Sequence, residues 1–376
     1  MEYMQDVIII GGGLAGLVSA LELARAGWAV TLVERKTYPF HRVCGEYVSN
    51  EVRPYVESLG VDLDGLGAAR IGRFWLSAPS GQSLSAPLDL GGFGISRYTL
   101  DDELYRLGTA VGVNFVLGKQ ADDVAFANDQ FLVSLSDGQT LTGQLVLGTF
   151  GKRSKLDKSL DRAFMHRQSP YVGIKYHIRT DTLPDDVIAL HNFRDGYCGM
   201  SAIEDGKYCL CYLTTRASLR QYGTIPDLEA AVLHRNPHLR RVFGQSDFLY
   251  DRPEVINEIS FAPKAAVEHH ILMAGDSAGL ITPLCGNGMA MAIHGAKLGS
   301  GLAVQLLSGQ LSRAEFESRY QAAWQQRFAR RLWVGRTVQK LFGDERLSEA
   351  AVRIFGTFKP ALRGVMRQTH GAVVPA

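Results

Sequence analysis

Residues 6–35 read "DVIIIGGGLAGLVSALELARAGWAVTLVER", and the order of residue types in this stretch decides the fold. Val7 to Ile10 is a continuous β-branched run, the composition of a strand buried on both faces. Leu17 to Ala26 follows with apolar residues at helical spacing. Between them Gly11, Gly13 and Gly16 fill the three glycine positions of G-x-G-x-x-G. The first permits a tight turn, the second lets the backbone approach a pyrophosphate, and the third lets helix and strand pack closely. Ala15 lies within the same turn. A second strand, Ala29 to Val33, ends at Glu34, about twenty residues on, where a carboxylate accepts hydrogen bonds from a ribose diol. Arg35 follows directly and is grouped with the cofactor-binding residues. Strand, glycine turn, helix, strand and acid, in that order, predict a Rossmann-like α/β domain that binds a dinucleotide.

A chain of 376 residues can bury a large core, as one domain with inserts or two interlocked domains. A formal net charge of +2 argues against a nucleic-acid partner. The five cysteines, Cys44, Cys198, Cys209, Cys211 and Cys285, are an odd number in a long chain and do not suggest a disulfide framework, so a reduced, cytoplasmic protein is expected. The glycine turn comes within about a dozen residues of the start, with no basic n-region before it. No uncharged apolar run approaches the ~20 residues of a membrane span. A soluble or peripheral protein is expected.

Four further stretches carry the chemistry. Residues 271–298, "ILMAGDSAGLITPLCGNGMAMAIHGAKL", are an apolar strand, then Gly275-Asp276, a loop with Pro283, and Gly286 and Gly288 opening a helix. "GISRYTLDDEL" sets Arg97 before a short amphipathic helix with Leu100 and Leu104 on one face. "LVLGTFGKRSKLD" runs from the strand Leu145–Leu147 into Gly148-Thr149-Phe150-Gly151. "HRVCGEYVSN", residues 41–50, places a lone cysteine and a glycine just after the ribose acid.

Together these motifs resemble the FAD-dependent oxidoreductases of the p-hydroxybenzoate hydroxylase and geranylgeranyl reductase superfamily, the group A flavin monooxygenases among them. The resemblance covers most of residues 1 to 310. It implies a non-covalent FAD, with Asp276 of the Gly275-Asp276 pair on the ribityl chain and Gly286, Gly288 and Met289 presenting a helix N-terminus to the flavin pyrimidine, where reduced flavin carries negative charge. Arg97 matches an R-x-x-L-D arginine beside FAD. Gly151 and Ser154 fit the family's G-A-D-G-x-x-S, but Phe150 replaces its aspartate, which puts NAD(P)H as direct electron donor in doubt and raises a partner reductase instead. "RVCGEYVS" resembles the K/R-V-C-G-E of the reductase-like branch, so Arg42 is expected to contact the cofactor and Cys44 to face the reaction chamber. Cys44 there is a proton donor, a shaping residue or plain packing. Glu46 is a general acid or base if burial raises its pKa, and otherwise a partner for Arg42 or Lys36.

The organisation expected is a discontinuous FAD-binding domain of the GR2 type (1–75, 97–155 and 263–308), an inserted antiparallel β-sheet substrate domain (76–96 and 156–262) and a C-terminal helical region (309–376). "YVGIKYHIRT" and "GYCGMSAIEDGKYCLCYLTT" alternate with period two around a Glu204-Asp205-Gly206 turn. Cys209 and Cys211 share a face of that sheet and read as core, not metal ligands; no metal site is expected. His294 reads as a core histidine rather than a flavin contact. After Leu311, Phe316, Tyr320, Trp324, Phe328 and Leu332 recur every four residues as one helical stripe. Residues 311–376 hold 12 Arg or Lys against 5 Asp or Glu, which suggests an anionic partner, a membrane surface or an acyl carrier protein. The tryptophans offer no W-x-W-x-I segment, so halogenation is set aside. The expected function is a monooxygenase hydroxylating an aromatic or lipid-like, polyketide-derived substrate through a flavin C4a-hydroperoxide, a tailoring step of secondary metabolism. The alternative is a reductase of a carbon–carbon double bond, and a third class is a non-enzymatic flavoprotein sensor.

Overall fold

The computed structural model describes residues 5–166, 169–282, 286–339, 343–369 and 371–376. Pro283 and Cys285 lie outside the described residues. The β-branched run becomes the strand Gln5–Ile10, flanked by parallel strands Val30–Glu34 and Thr140–Gly148, so that Ile9 stands opposite both Leu32 and Leu147. Burial on both faces explains why this strand needs no polar alternation: Val7, Ile8 and Ile9 are fully buried. Asn114–Leu117 and Ile271–Met273 extend the parallel sheet on its two sides. The helix Leu14–Arg25 makes the crossover, and the long helix Gly288–Leu307 packs on it.

The second sheet is antiparallel through Tyr171–Arg179, Tyr208–Thr215, Gly196–Ala202 and Val187–Phe193. Asp205 and Gly206 turn the hairpin at positive φ. One pair departs from the antiparallel expectation. Val187–Phe193 runs parallel to Ala69–Ser77, because these strands come from separate excursions of the chain with no hairpin between them. Ala69–Ser77 pairs along its length with Ser83–Gly94, so this strand belongs to the second sheet. Tyr47–Ser49 joins the same sheet at its edge. Residues 41–46 are therefore the passage from the nucleotide sheet to the second sheet.

The stripe from Phe316 to Leu332 lies on the helix Arg313–Gln339 and is buried throughout, Tyr320 donating a hydrogen bond to the Met273 carbonyl at 2.8 Å. Two shorter helices, Glu345–Thr357 and Lys359–Thr369, follow, the first against the second sheet. Among the described residues no helix is long and apolar enough to cross a membrane.

Candidate active site

The glycine turn is as tight as the sequence requires. Gly11 has φ +105°, and a side chain there would strike the backbone of Thr149 and Phe150. A Cβ on Gly16 would collide with the Gly11 carbonyl, so the third glycine is fixed by packing of helix on strand. Gly13 differs: a Cβ there would meet only Arg97, at 3.7 Å, which leaves its outer side open for a ligand. Glu34 is buried beside the turn, its carboxylate accepting from the Gly12 N–H at 2.9 Å, the Lys36 N–H at 3.1 Å and Arg42 at 3.1 Å.

Every cofactor-binding residue predicted above except Gly16, which sits behind the turn, lines one continuous cavity of about 940 Å³. Asp276 is half-buried on its wall, and among the described residues no hydrogen bond reaches its carboxylate. Lys264 lies near it and donates to the Asp276 backbone carbonyl at 2.9 Å, so the carboxylate keeps hydrogen-bonding capacity for hydroxyl donors such as those of a ribityl chain. The helix Gly288–Leu307 begins on the same wall, bringing backbone N–H groups of Gly288 and Met289 and partial positive charge. The open turn, the Asp276 carboxylate and the helix start fit an elongated dinucleotide, FAD.

Arg42 and Arg97 line the cavity, and one carboxylate, the aspartate that closes the R-x-x-L-D motif and was given no role from sequence, holds both. Asp101 takes two hydrogen bonds from Arg97, each 2.7 Å, and one from Arg42 at 3.0 Å. Its place four residues after Arg97 on a helix was the available signal. Arg42 also donates to the Gly12 carbonyl at 2.8 Å. Arg35 is exposed at the cavity mouth, and Phe150 lines the wall close to the Gly11 turn.

Cys44 is half-buried on the cavity wall. Cys209, read as core, is buried and donates its S–H to the Cys44 carbonyl at 3.2 Å. Cys211, also read as core, lines the cavity instead, and burial pushes its thiol up to about 12. Glu46 corrects the expectation of an acid or base. Burial alone would raise its pKa, but the Lys175 ammonium at 2.5 Å and His177 at 2.6 Å outweigh it and hold the carboxyl at about 2. Its partners are not Arg42 or Lys36 but these two strand residues and the Arg97 N–H at 2.9 Å. Beyond His177, hydrogen bonds run through Tyr250 at 2.9 Å to His41 at 3.1 Å, whose ring stacks on the exposed Tyr98. Glu46, His177 and Cys209 are close enough to hold a metal ion, but Lys175 already supplies the positive charge there. His294 is buried edge-on to Phe328, and burial lowers its pKa to about 4.

The profile of the FAD dependent oxidoreductase family (DAO) matches residues 6–42. Among curated relatives, digeranylgeranylglycerophospholipid reductase 1 of Methanopyrus kandleri is 23% identical over 368 residues, 93% of either chain. Rifampicin monooxygenase of Rhodococcus hoagii is 26% identical over 81% of this chain and 64% of its own. The match to menaquinone reductase of Mycobacterium tuberculosis, 25% identical, takes in 50% of this chain and 47% of that protein, about half its length. A geranylgeranyl bacteriochlorophyll reductase-like structure from Thermoplasma acidophilum superposes with a TM-score of 0.79 at 15% identity, covering 95% of this chain and 92% of that one. The glycine-turn segment is therefore similar to FAD dependent oxidoreductases, and the whole chain shares the fold of a geranylgeranyl reductase-like protein.

Proposed function

We propose that the protein is a monooxygenase that hydroxylates an elongated, largely apolar aromatic substrate. One observation carries this reading: the cavity that holds the dinucleotide cradle continues without a break along Phe74, Leu76, Leu190, Met200, Phe355 and Leu362. Bound FAD supplies the redox chemistry and the activation of oxygen. The chain supplies a dry wall, and excluding water matters most where a reactive oxygen species must not be lost to solvent. Burial pushes the Cys211 thiol further above its ordinary range, so even less of it is thiolate, and a thiol resists oxidants far better than a thiolate. Electrons come from a partner reductase rather than directly from NAD(P)H, since Phe150 stands where an aspartate would serve a nicotinamide donor. We place the protein in the cytoplasm, where the free cysteines among the described residues stay reduced.

Isotopic labelling tests the reading. FAD-loaded protein reduced with dithionite and exposed to ¹⁸O₂ with a long-chain alkylphenol should give a product carrying one ¹⁸O. A product gaining two hydrogens and no oxygen, under anaerobic conditions and from a polyprenyl substrate, would refute it.

The second reading, a reductase of a carbon–carbon double bond, rests on Cys44, a thiol on the cavity wall where a proton would be delivered to substrate. Proton transfer of that kind contributes about 10²–10⁴-fold in rate. We expect Cys44→Ala to cost less than about tenfold with full flavin content. A hundredfold loss, restored in part by Cys44→Ser, would favour the reductase.

A further inference from the structure

We propose that the C-terminal helix pair, Glu345–Thr357 and Lys359–Thr369, docks the protein on an anionic phospholipid bilayer and forms the wall between that bilayer and the substrate cavity. The outer surface of the pair is unusual for a soluble helix. Leu347, Ile354 and Phe358 are 46%, 57% and 59% exposed, and their spacing of seven and four residues aligns them in one stripe. Trp333, near the end of the preceding helix, is 63% exposed. Beside the stripe stand Arg346, Arg353, Lys359 and Arg363, all exposed, and none forms an ion pair with a described residue. Their neighbour Arg367 does, with Asp89 at 3.1 Å.

The inner surface of the same helices has a different task. Phe355, Leu362, Val365 and Met366 line the cavity that also holds the dinucleotide cradle. A single layer of helix thus presents apolar residues to the substrate space on one side and, on the other, an apolar stripe flanked by cations that have no ion-pair partner among the described residues. Two short helices of this kind are suited to lie in a membrane interface, apolar stripe down and cations among anionic headgroups. Charge complementarity selects an anionic surface. The large exposed apolar side chains select a bilayer over an acidic carrier protein, which the cations alone would satisfy.

Vesicle co-sedimentation of the full-length, FAD-loaded protein tests the proposal without any substrate, so its outcome is independent of the reaction assigned above. Binding is expected to vesicles of phosphatidylcholine with phosphatidylglycerol, to be much weaker on phosphatidylcholine alone, and to fall as salt rises. Ile354→Ser with Phe358→Ser, and separately Arg346→Gln with Arg353→Gln, should each weaken binding on the order of tenfold or more while flavin content and melting temperature stay unchanged. No binding to anionic vesicles, or binding untouched by both variants, overturns the proposal. So does salt-sensitive binding to a purified acyl carrier protein, lost in the arginine variant alone and without vesicle binding, which would assign the surface to the carrier.

Discussion

Gly13 and Gly16 belong to one motif but answer to different forces, and this makes them separable by experiment. Gly13 has ordinary backbone angles, φ −83° and ψ −176°, and protein atoms leave room for a side chain. Gly16 has none, because the Gly11 carbonyl fills the space. We expect Gly13→Val to fold and melt near the temperature of the flavin-free wild-type protein, and to purify without flavin. Gly16→Val should lose several kcal/mol of stability, in line with overpacking at a helix–strand contact, and express poorly. Circular dichroism and the ratio of flavin to protein absorbance distinguish them. Yellow, flavin-replete Gly13→Val would show that the open side of the turn faces no pyrophosphate.

At the scale of elements, what was legible was local. The strand, glycine turn and helix of residues 6–26 are specified by neighbours a few positions apart, and the period-two alternation around Asp205-Gly206 likewise reads directly as a hairpin. Lys175 and His177 lay in plain sight on one face of an alternating strand. Their partner Glu46 is about 130 residues away, however, and only tertiary packing brings it there. The same holds for Ala69–Ser77, where pairing with a later strand decides which sheet a segment joins. The loop from Gly148 to Ser154 stands between these cases, since its departure from the family pattern was visible and its surroundings were not. Phe150 occupies the cavity wall against the glycine turn. We expect NADPH to bleach the flavin slowly under anaerobic conditions. Phe150→Asp should speed bleaching on the order of tenfold, the worth of one hydrogen bond to a charged group. Rapid bleaching of the wild-type protein by NADPH alone would show that the phenylalanine is no obstacle.

For the whole molecule, the join between its two sheets is electrostatic as well as apolar. Glu46 accepts from the Arg97 N–H, at the start of a helix beside the glycine turn, and from Lys175 and His177 on the second sheet. One carboxylate therefore ties the nucleotide domain to the sheet that walls the substrate space. Its folded-state pKa of about 2 lies below the ordinary value of 4.5, so between these values the unfolded chain binds more protons than the folded one. The stabilisation is complete above pH 4.5 and is lost as pH falls towards 2. Removing the carboxylate alone leaves Lys175 buried and unpaired, so Glu46→Gln should be strongly destabilised at neutral pH. Glu46→Gln with Lys175→Met should recover much of that loss, since it removes both buried charges. The double variant should also show a flatter dependence of melting temperature on pH between 4.5 and 2 than the wild-type protein, and its flavin fluorescence should rise less on acidification. Melting curves and flavin release recorded across that range decide the matter. Parallel profiles for the two proteins would mean that the join does not depend on this carboxylate.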